Sequence, residues 1–237
     1  MLDKRSFKDL GLDLSQGWWR DFGLGLGLGA LLMLLIFLVE LGLGWIQVQS
    51  FFYSWAGYPG FPGDLALSLL FFLVVGFYEE LYTRGYLIKN LSEGLAGNLF
   101  PPRIAIILAT LLTSVYFGLL HAANPNPTPQ AVLNISLAGL LLAAGYLVTG
   151  QLGFSIGLHI SWNFFQGPVF GFPVSGAALF RGSLFQVLQL GPPLWTGGQF
   201  GPEGGLLGTA ACLLGLGLIL LWKGKDGIDQ GLSRYRP

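Results

Sequence analysis

Charged residues are scarce in this sequence. Only 12 Lys and Arg and 12 Asp and Glu occur among 237 residues, so 10% of the chain is charged, against roughly 25% in an average soluble domain. Hydrophobic residues make up 53% of the chain, and the mean hydropathy is +0.64. One soluble core of this size could not bury so much apolar surface, which excludes an ordinary soluble enzyme. The apolar content also excludes a disordered chain.

Features of several other functional classes are missing as well. Acidic and basic residues balance, and no basic stripe is interleaved with aromatic residues, so the sequence predicts no nucleic-acid partner. No phosphate-binding glycine motif occurs, and the zincin motif HExxH is absent. The one cysteine, Cys212, cannot form an intramolecular disulfide and says nothing about the redox compartment.

Long apolar stretches dominate what is present. A hydrocarbon layer about 30 Å thick needs about 20 residues of helix, and no Asp, Glu, Lys or Arg lies between Ile104 and Phe180. We therefore predict an all-α polytopic membrane protein, with about six transmembrane helices around a polar intramembrane cavity. The predicted spans are residues 22–44, 64–88, 103–121, 131–149, 152–171 and 205–222.

The first span is predicted to be permanent. The basic residues of the N-terminus lie far ahead of the apolar run, and no signal-peptide cleavage site follows it. Before it, Phe7, Leu10, Leu14 and Trp18 recur at helical spacing, which predicts a short helix in the membrane interface. We divide the chain into an N-terminal interfacial segment (residues 1–21), a transmembrane domain (residues 22–222) and a cytoplasmic tail (residues 223–237). The motif core of the transmembrane domain covers residues 64–171.

Basic residues set the predicted orientation, because they favour the cytoplasmic side of a membrane. With six spans, Arg181 falls on one side and all the other basic residues fall on the opposite side. Both termini are therefore predicted to be cytoplasmic, in a plasma membrane or an internal membrane. The basic residues on the predicted cytoplasmic side are Lys4, Arg5, Lys8, Arg20, Arg84, Lys89, Arg103, Lys223, Lys225, Arg234 and Arg236.

Ionisable and amide side chains recur inside three of the predicted spans. A charged residue at the centre of a membrane helix costs about 2.5–3.5 kcal/mol on insertion scales, so such residues call for a functional or structural reason. Both histidines of the protein are among them. They occur in the strings FYEELYTRGYL, FGLLH and HISWN, which contain Glu79, Glu80, Arg84, Phe117, His121, His159 and Asn163.

Helical spacing assigns different surroundings to the two carboxylates. Residues four apart share one helix face, so Glu80 and Arg84 are predicted to form an intrahelical ion pair. Glu79 points about 100° away and is free to face a cavity. His159 and Asn163 also lie one turn apart. Carboxylates and imidazoles are the usual general bases, and imidazole and carboxamide groups can stabilise an oxyanion, so this set fits hydrolysis.

Structural roles are the alternative for several polar and small residues. Polar side chains in membranes commonly hydrogen-bond between helices. Glu40, in the first span, has no patterned partner and is predicted to be structural, snorkelling at the outer end. Every second residue from Gly23 to Gly29 is glycine, which predicts close helix packing. The stretch TGGQFGPEGG, residues 196–205, predicts a loop.

The three motifs together resemble those of a known family. EExxxR at Glu79, FxxxH at Phe117 and HxxxN at His159 follow in this order on successive predicted membrane helices. This pattern resembles the CAAX prenyl protease and bacteriocin-processing family of intramembrane endopeptidases, called CPBP or Abi. The resemblance covers residues 79–163. It implies an all-α core around a cavity open to the cytosol.

The resemblance also implies a role for each motif residue. Glu79 and His121 would activate the hydrolytic water. His159 and Asn163 would polarise the scissile carbonyl and hold the oxyanion. Supporting residues, which fix the helix and the orientation of the Glu79 carboxylate, would be Glu80, Arg84 and Phe117.

Whether a metal takes part stays open at this stage. Members of the family are usually described as metalloproteases, and His121, His159 and Glu79 could ligate zinc with an open fourth position. Direct activation of water by Glu79 and His121 needs no metal, and we favour it.

The implied partners are membrane lipid and a peptide or protein substrate. Eukaryotic members of the family remove three terminal residues from prenylated CAAX proteins, so a prenylated or otherwise membrane-bound substrate is expected. The alternative is a non-enzymatic membrane scaffold, immunity protein or transporter that uses the same polar groups. Transporters often contain inverted halves, and none is visible here.

Hydropathy alone places Glu79 and His121 at different depths of the membrane. Glu79 falls in the cytoplasmic half of the second span, whereas His121 ends the third span near the far side. Two arrangements would bring the pair together. The second helix could continue past Asn90, or the third could start deeper than Pro101 and tilt.

Overall fold

Helices form most of the protein, as an all-α polytopic membrane protein requires. The computed structural model describes residues 5–54, 60–97, 99–177 and 182–233, with side chains up to residue 224. Within these ranges, five helices are long and apolar enough to cross a membrane. They are α1 (Gln16–Gly42), the continuous helix Phe61–Leu95, α4 (Pro102–Leu120) extended by the turn His121–Ala123, α5 (Pro129–Thr149), and the first part of α8 (Leu206–Ser233) up to Gly224.

The second of these helices is built in three parts. Helix α2 (Phe61–Glu80) runs without a break into a π-helical stretch, Leu81–Ile88, and then into α3 (Lys89–Leu95). The helix therefore continues past Asn90, the first of the two arrangements that would bring Glu79 and His121 together. Glu79 lies near the middle of its 35 residues.

The predicted span 152–171 is shorter and more deeply placed than the others. It forms α6 (Gly153–Phe164) and a π-helical turn, Phe165–Val169, which contains Pro168 and ends the helix. Every residue of α6 from Gly153 to Asn163 is buried. This helix is surrounded by other helices rather than by lipid.

Glycines allow α1 to lie directly against α6. A Cβ at Gly25 would stand 2.1 Å from the carbonyl oxygen of Phe154, and one at Gly29 would stand 2.1 Å from Ser161 Oγ. Gly23 and Gly27, by contrast, have open space around them. Two of the four alternating glycines thus form the close packing predicted from the sequence, and together they fix the position of the helix that carries His159 and Asn163.

A two-stranded antiparallel ribbon is an addition that the sequence analysis did not anticipate. Strand β1 (Ile46–Ser54) follows α1, and β2 (Gly182–Gln189) pairs with it before the short helix α7 (Pro193–Thr196). Glu40, at the end of α1, accepts a hydrogen bond of 2.6 Å from Gln189 Nε2. Its side chain is fully buried, so the expectation that Glu40 snorkels was wrong: the ribbon covers it.

The N-terminal segment contains turns rather than the predicted interfacial helix. Residues 7–11 are hydrogen-bonded turns, and Trp18 belongs to α1, where it is buried. Lys89 Nζ donates to the carbonyl of Asp9 over 2.9 Å, and Arg5 pairs with Glu93, so the segment packs on α3. Of the basic residues used for orientation, four lie outside the described residues: Lys4, Arg181, Arg234 and Arg236.

Candidate active site

The carboxylate of Glu80 lies at the centre of a buried polar cluster. It forms the predicted ion pair with Arg84, with 2.8 Å between Oε1 and Nη1, and both side chains are almost completely buried. Arg84 also donates to Thr83 Oγ1 over 2.7 Å and to the carbonyl of Gly139 on α5 over 3.3 Å. A buried charge needs such partners, and the cluster therefore ties the π-helical stretch to α5.

The imidazole of His159 lies between the two carboxylates of the first motif. Its Nδ1 is 2.8 Å from Glu80 Oε1, and its Nε2 is 3.8 Å from Glu79 Oε2. Because an ionised carboxylate only accepts hydrogen bonds, Nδ1 carries the proton in the contact with Glu80. The two flanking carboxylates also offset the positive charge of a doubly protonated ring.

Glu79 differs from Glu80 in its exposure and in its partners. Its side chain is 24% exposed, whereas that of Glu80 is fully buried. Its Oε2 atom makes no hydrogen bond to any described residue. The helical offset predicted from the sequence thus gives one paired carboxylate and one that faces a cavity.

His121 is oriented by the backbone of its own helix. Its Nδ1 lies 2.8 Å from the carbonyl oxygen of Phe117, and because a carbonyl only accepts, Nδ1 carries the proton. The other ring nitrogen, Nε2, is then an acceptor in the neutral ring. The Phe117 ring lies 4.7 Å from the His121 ring and 4.2 Å from the Arg84 guanidinium, so it separates the imidazole from the buried charge.

One cavity of about 350 Å³ brings the candidate residues together. It is lined by α2, α4, α5 and α6 and by three connecting segments, and most of its lining is apolar. Glu79, His121, His159 and Asn163 all line it. Glu80 and Arg84 lie behind this surface, where they contact the residues that line it.

A further carboxylate lines this cavity that the sequence analysis did not identify. Glu203 belongs to the segment 196–205, for which the sequence predicts only a loop, yet Glu203 is 5% exposed and lines the same cavity. Burial raises the pKa of its carboxyl group, while hydrogen bonds from Ser175 and the charge of His121 oppose the rise. The one feature of the sequence that could have indicated a buried carboxylate is an acidic residue without a basic neighbour in a glycine-rich segment.

The glycines of this segment explain why it is buried rather than exposed. Gly197 has a φ of +75°, and a Cβ there would lie 1.8 Å from the carbonyl oxygen of Gly201. Gly201 itself has a φ of +104° and lies against the carbonyl of Pro173. Only glycine fits such positions readily, and the tight turns direct Glu203 into the protein.

Two features of the described residues bear on the expected zinc ligation. No group of three or more His, Cys, Asp or Glu side chains in that part of the chain is placed to hold a metal ion. The Nδ1 atoms of His121 and His159 are occupied by Phe117 and Glu80. A histidine that ligates a metal through Nε2 is commonly oriented in this way through Nδ1, so zinc ligation by His121, His159 and Glu79 stays a prediction, and no step below involves a metal.

Comparison with known proteins agrees with the motifs. Residues 61–165 match the family model described as Type II CAAX prenyl endopeptidase Rce1-like. The matched range contains all three motifs and confirms the resemblance to CPBP proteins. No curated protein and no solved structure matches the chain significantly.

Proposed function

We propose that this chain, whose residues 61–165 match the family model of Type II CAAX prenyl endopeptidase Rce1-like proteins, hydrolyses a peptide bond inside the membrane by direct activation of water. The family supports an intramembrane CAAX-type protease, and the five apolar helices fit an integral membrane protein. We further propose that both termini lie in the cytoplasm.

The observation that carries this proposal is the cavity shared by all four candidate residues. Glu79 contributes a carboxylate oxygen without a hydrogen-bond partner among the described residues, and His121 contributes a ring nitrogen with a lone pair. A water between them would lose a proton to one of these bases, and the hydroxide would attack the scissile carbonyl carbon.

The oxyanion formed in this step needs donors on the opposite side of the carbonyl. His159 Nε2, when protonated, and the Asn163 carboxamide are one turn apart on α6 and can both donate. As the tetrahedral intermediate collapses, the C–N bond breaks, and the proton held by Glu79 or His121 passes to the leaving amine. Glu80 acts behind this site, because its carboxylate holds His159 Nδ1.

We propose that the substrate is a prenylated or otherwise membrane-bound peptide. The cavity is mostly apolar, with polar groups restricted to the candidate residues and to the connecting segments. Its aromatic and aliphatic lining, which includes Phe71, Phe72 and Val75 of α2, suits an apolar substrate group.

Cleavage of a farnesylated CAAX peptide by the lipid-reconstituted protein tests this function. The same peptide without the farnesyl group measures the contribution of the lipid, and a mixed peptide library tests other sequences. Glu79→Gln should lower turnover by about 10²- to 10⁴-fold, the usual contribution of a general base. Glu93→Gln is the matched control, because Glu93 pairs with Arg5 away from the cavity.

Two outcomes would contradict the proposal. Cleavage by Glu79→Gln at the wild-type rate would remove Glu79 from the mechanism. No cleavage of any peptide by folded wild-type protein would favour the non-enzymatic alternative, in which the same polar groups serve a scaffold, an immunity protein or a transporter.

A further inference from the structure

Glu203 is an acidic residue of the cavity that lies outside all three motifs. Among the described residues that line the cavity, the carboxylates are Glu79 and Glu203. A carboxylate that is 5% exposed in an apolar setting is unfavourable unless it interacts with specific groups. Its interactions therefore point to its role.

Hydrogen bonds connect Glu203 to the turn that carries His121. Glu203 Oε1 accepts a hydrogen bond from the backbone N–H of Ser175. The carbonyl of Ser175 accepts from Asn124 Nδ2 over 3.1 Å. The backbone N–H of Asn124 in turn donates to the carbonyl of His121 over 3.1 Å. Three consecutive contacts thus link the Glu203 carboxylate to the backbone of His121.

Ser175, in the middle of this chain of hydrogen bonds, has a backbone conformation that needs stabilising contacts. Ser175 has a φ of +49°, in the left-handed region that is unfavourable for residues with a side chain. The next residue, Gly176, donates its N–H to the carbonyl of Phe200 over 2.8 Å. Ser175 and Gly176 are therefore both held by the segment that contains Glu203, and loss of the Glu203 contact would release one of these two supports.

The segment that contains Glu203 is itself fixed to the helices. Asn134 Nδ2 on α5 donates to the carbonyl of Gly205 over 2.7 Å, and Thr209 Oγ1 on α8 donates to Asn134 Oδ1 over 2.8 Å. Glu203 thus transmits the position of α5 and α8 to the His121 turn.

Charge complements this connection. His121 and Glu203 line the same cavity, and the charge of His121 opposes the rise that burial causes in the pKa of the Glu203 carboxyl group. In an apolar cavity such interactions are weakly screened. A carboxylate at this place therefore complements the charge that the imidazole carries after the proposed proton transfer.

We propose that Glu203 is a positioning residue for His121, because its carboxylate holds the turn that carries the imidazole and balances the charge that the ring acquires. This inference rests on the proposed function for its catalytic consequence, but its structural part can be measured without any activity.

Nuclear magnetic resonance of ring-¹⁵N-labelled histidine tests the structural part. The protein contains only two histidines, so two sets of ring signals are expected, and His121→Gln identifies them. Glu203→Leu removes both the charge and the acceptor of the Ser175 N–H, whereas Glu203→Gln keeps an oxygen that can accept from Ser175 and removes only the charge. Both variants should shift the His121 signals by more than their line width, Glu203→Leu by the larger amount, and leave the His159 signals in place.

Glu93→Gln is the matched control for the change of charge. It makes the same substitution at a carboxylate that pairs with Arg5 and does not line the cavity, and it should leave both sets of ring signals unchanged. Unchanged His121 signals in Glu203→Gln would overturn the proposal. Equal shifts of both histidines would also overturn it, because they would indicate a general rearrangement.

Kinetics test the catalytic part. Glu203→Gln should lower kcat by about 10- to 100-fold, the size expected for a hydrogen bond to a charged group, with KM within about twofold of the wild type. Glu203→Asp should restore part of kcat. A rise in KM with unchanged kcat would instead assign Glu203 to substrate binding and overturn the positioning role.

The two proposals fail separately in these experiments. If folded wild-type protein cleaves no peptide, the proposed function is wrong, whereas the ring signals of Glu203→Gln still decide whether Glu203 positions His121.

Discussion

The Nδ1 atom of His159 lies 2.8 Å from Oε1 of Glu80, so the first motif holds the third. The same carboxylate oxygen lies 2.8 Å from Arg84 Nη1. Glu80 therefore serves two functions: it neutralises a buried guanidinium, and it fixes the orientation of an imidazole of the cavity. Its neighbour Glu79 makes no hydrogen bond to Arg84 or to His159.

This difference predicts losses of stability of different size for two equivalent substitutions. Glu80→Gln leaves the buried Arg84 charge without its anion and should lower the free energy of unfolding by about 3–5 kcal/mol. Glu79→Gln changes a partly exposed group and should lower it by about 1 kcal/mol or less. Thermal unfolding of both variants in one detergent measures the contrast, and equal stabilities would show that Glu80 is not the stabilising partner.

Packing between α1 and α6 predicts a second contrast, between alternate glycines. Gly25→Ala places a Cβ 2.1 Å from the carbonyl oxygen of Phe154 and should destabilise the protein by about 1–3 kcal/mol, as overpacking does. Gly27→Ala has open space around it and should be neutral or stabilising by about 0.5–1 kcal/mol. If both variants melt at the same temperature, the two helices do not pack as closely as described.

The ring of Phe117 predicts a combined loss of stability and turnover. Phe117→Leu removes the contact of the ring with the Arg84 guanidinium and should cost about 1–2 kcal/mol of unfolding free energy. It should also lower kcat, because the ring no longer packs against His121. Phe7→Leu makes the same chemical change at an exposed position and should alter neither quantity.

Metal removal gives a prediction about the catalytic water. Because the proposed activation of water uses Glu79 and His121 directly as bases, cleavage should persist after dialysis against a strong zinc chelator. Elemental analysis of the purified protein should find zinc well below one ion per chain. Loss of activity that returns on addition of zinc would restore the metal alternative.

Contacts within one helix could be predicted from the sequence, and contacts between distant segments could not. Glu80 and Arg84 are four residues apart, so helical geometry alone pairs them. Glu80 and His159 are 79 residues apart, and no periodicity relates them. The sequence analysis therefore assigned Glu80 to support of Glu79 and missed its contact with His159.

The ends of elements were harder to predict for a physical reason. Hydropathy indicates which part of a helix lies in lipid, not where its backbone stops being helical. The helix that begins at Phe61 becomes polar after Ile88, yet its backbone stays helical to Leu95, so hydropathy placed its end too early. Glu203 was missed for a related reason. Its segment owes its shape to glycine conformations rather than to an apolar pattern, and nothing local indicates that its one carboxylate faces inward.

The length of the helix Phe61–Leu95 connects the site to the thickness of the bilayer. Its 35 residues extend over about 50 Å, well beyond a hydrocarbon layer of about 30 Å, so the helix must tilt or project into the headgroups. Because Glu80 holds this helix to His159 of α6, a thinner or thicker bilayer would change the tilt of both helices together and with it the depth of Glu79 and His159 in the membrane. Lipid chain length would then act as a modulator of turnover, through hydrophobic mismatch and without any ligand.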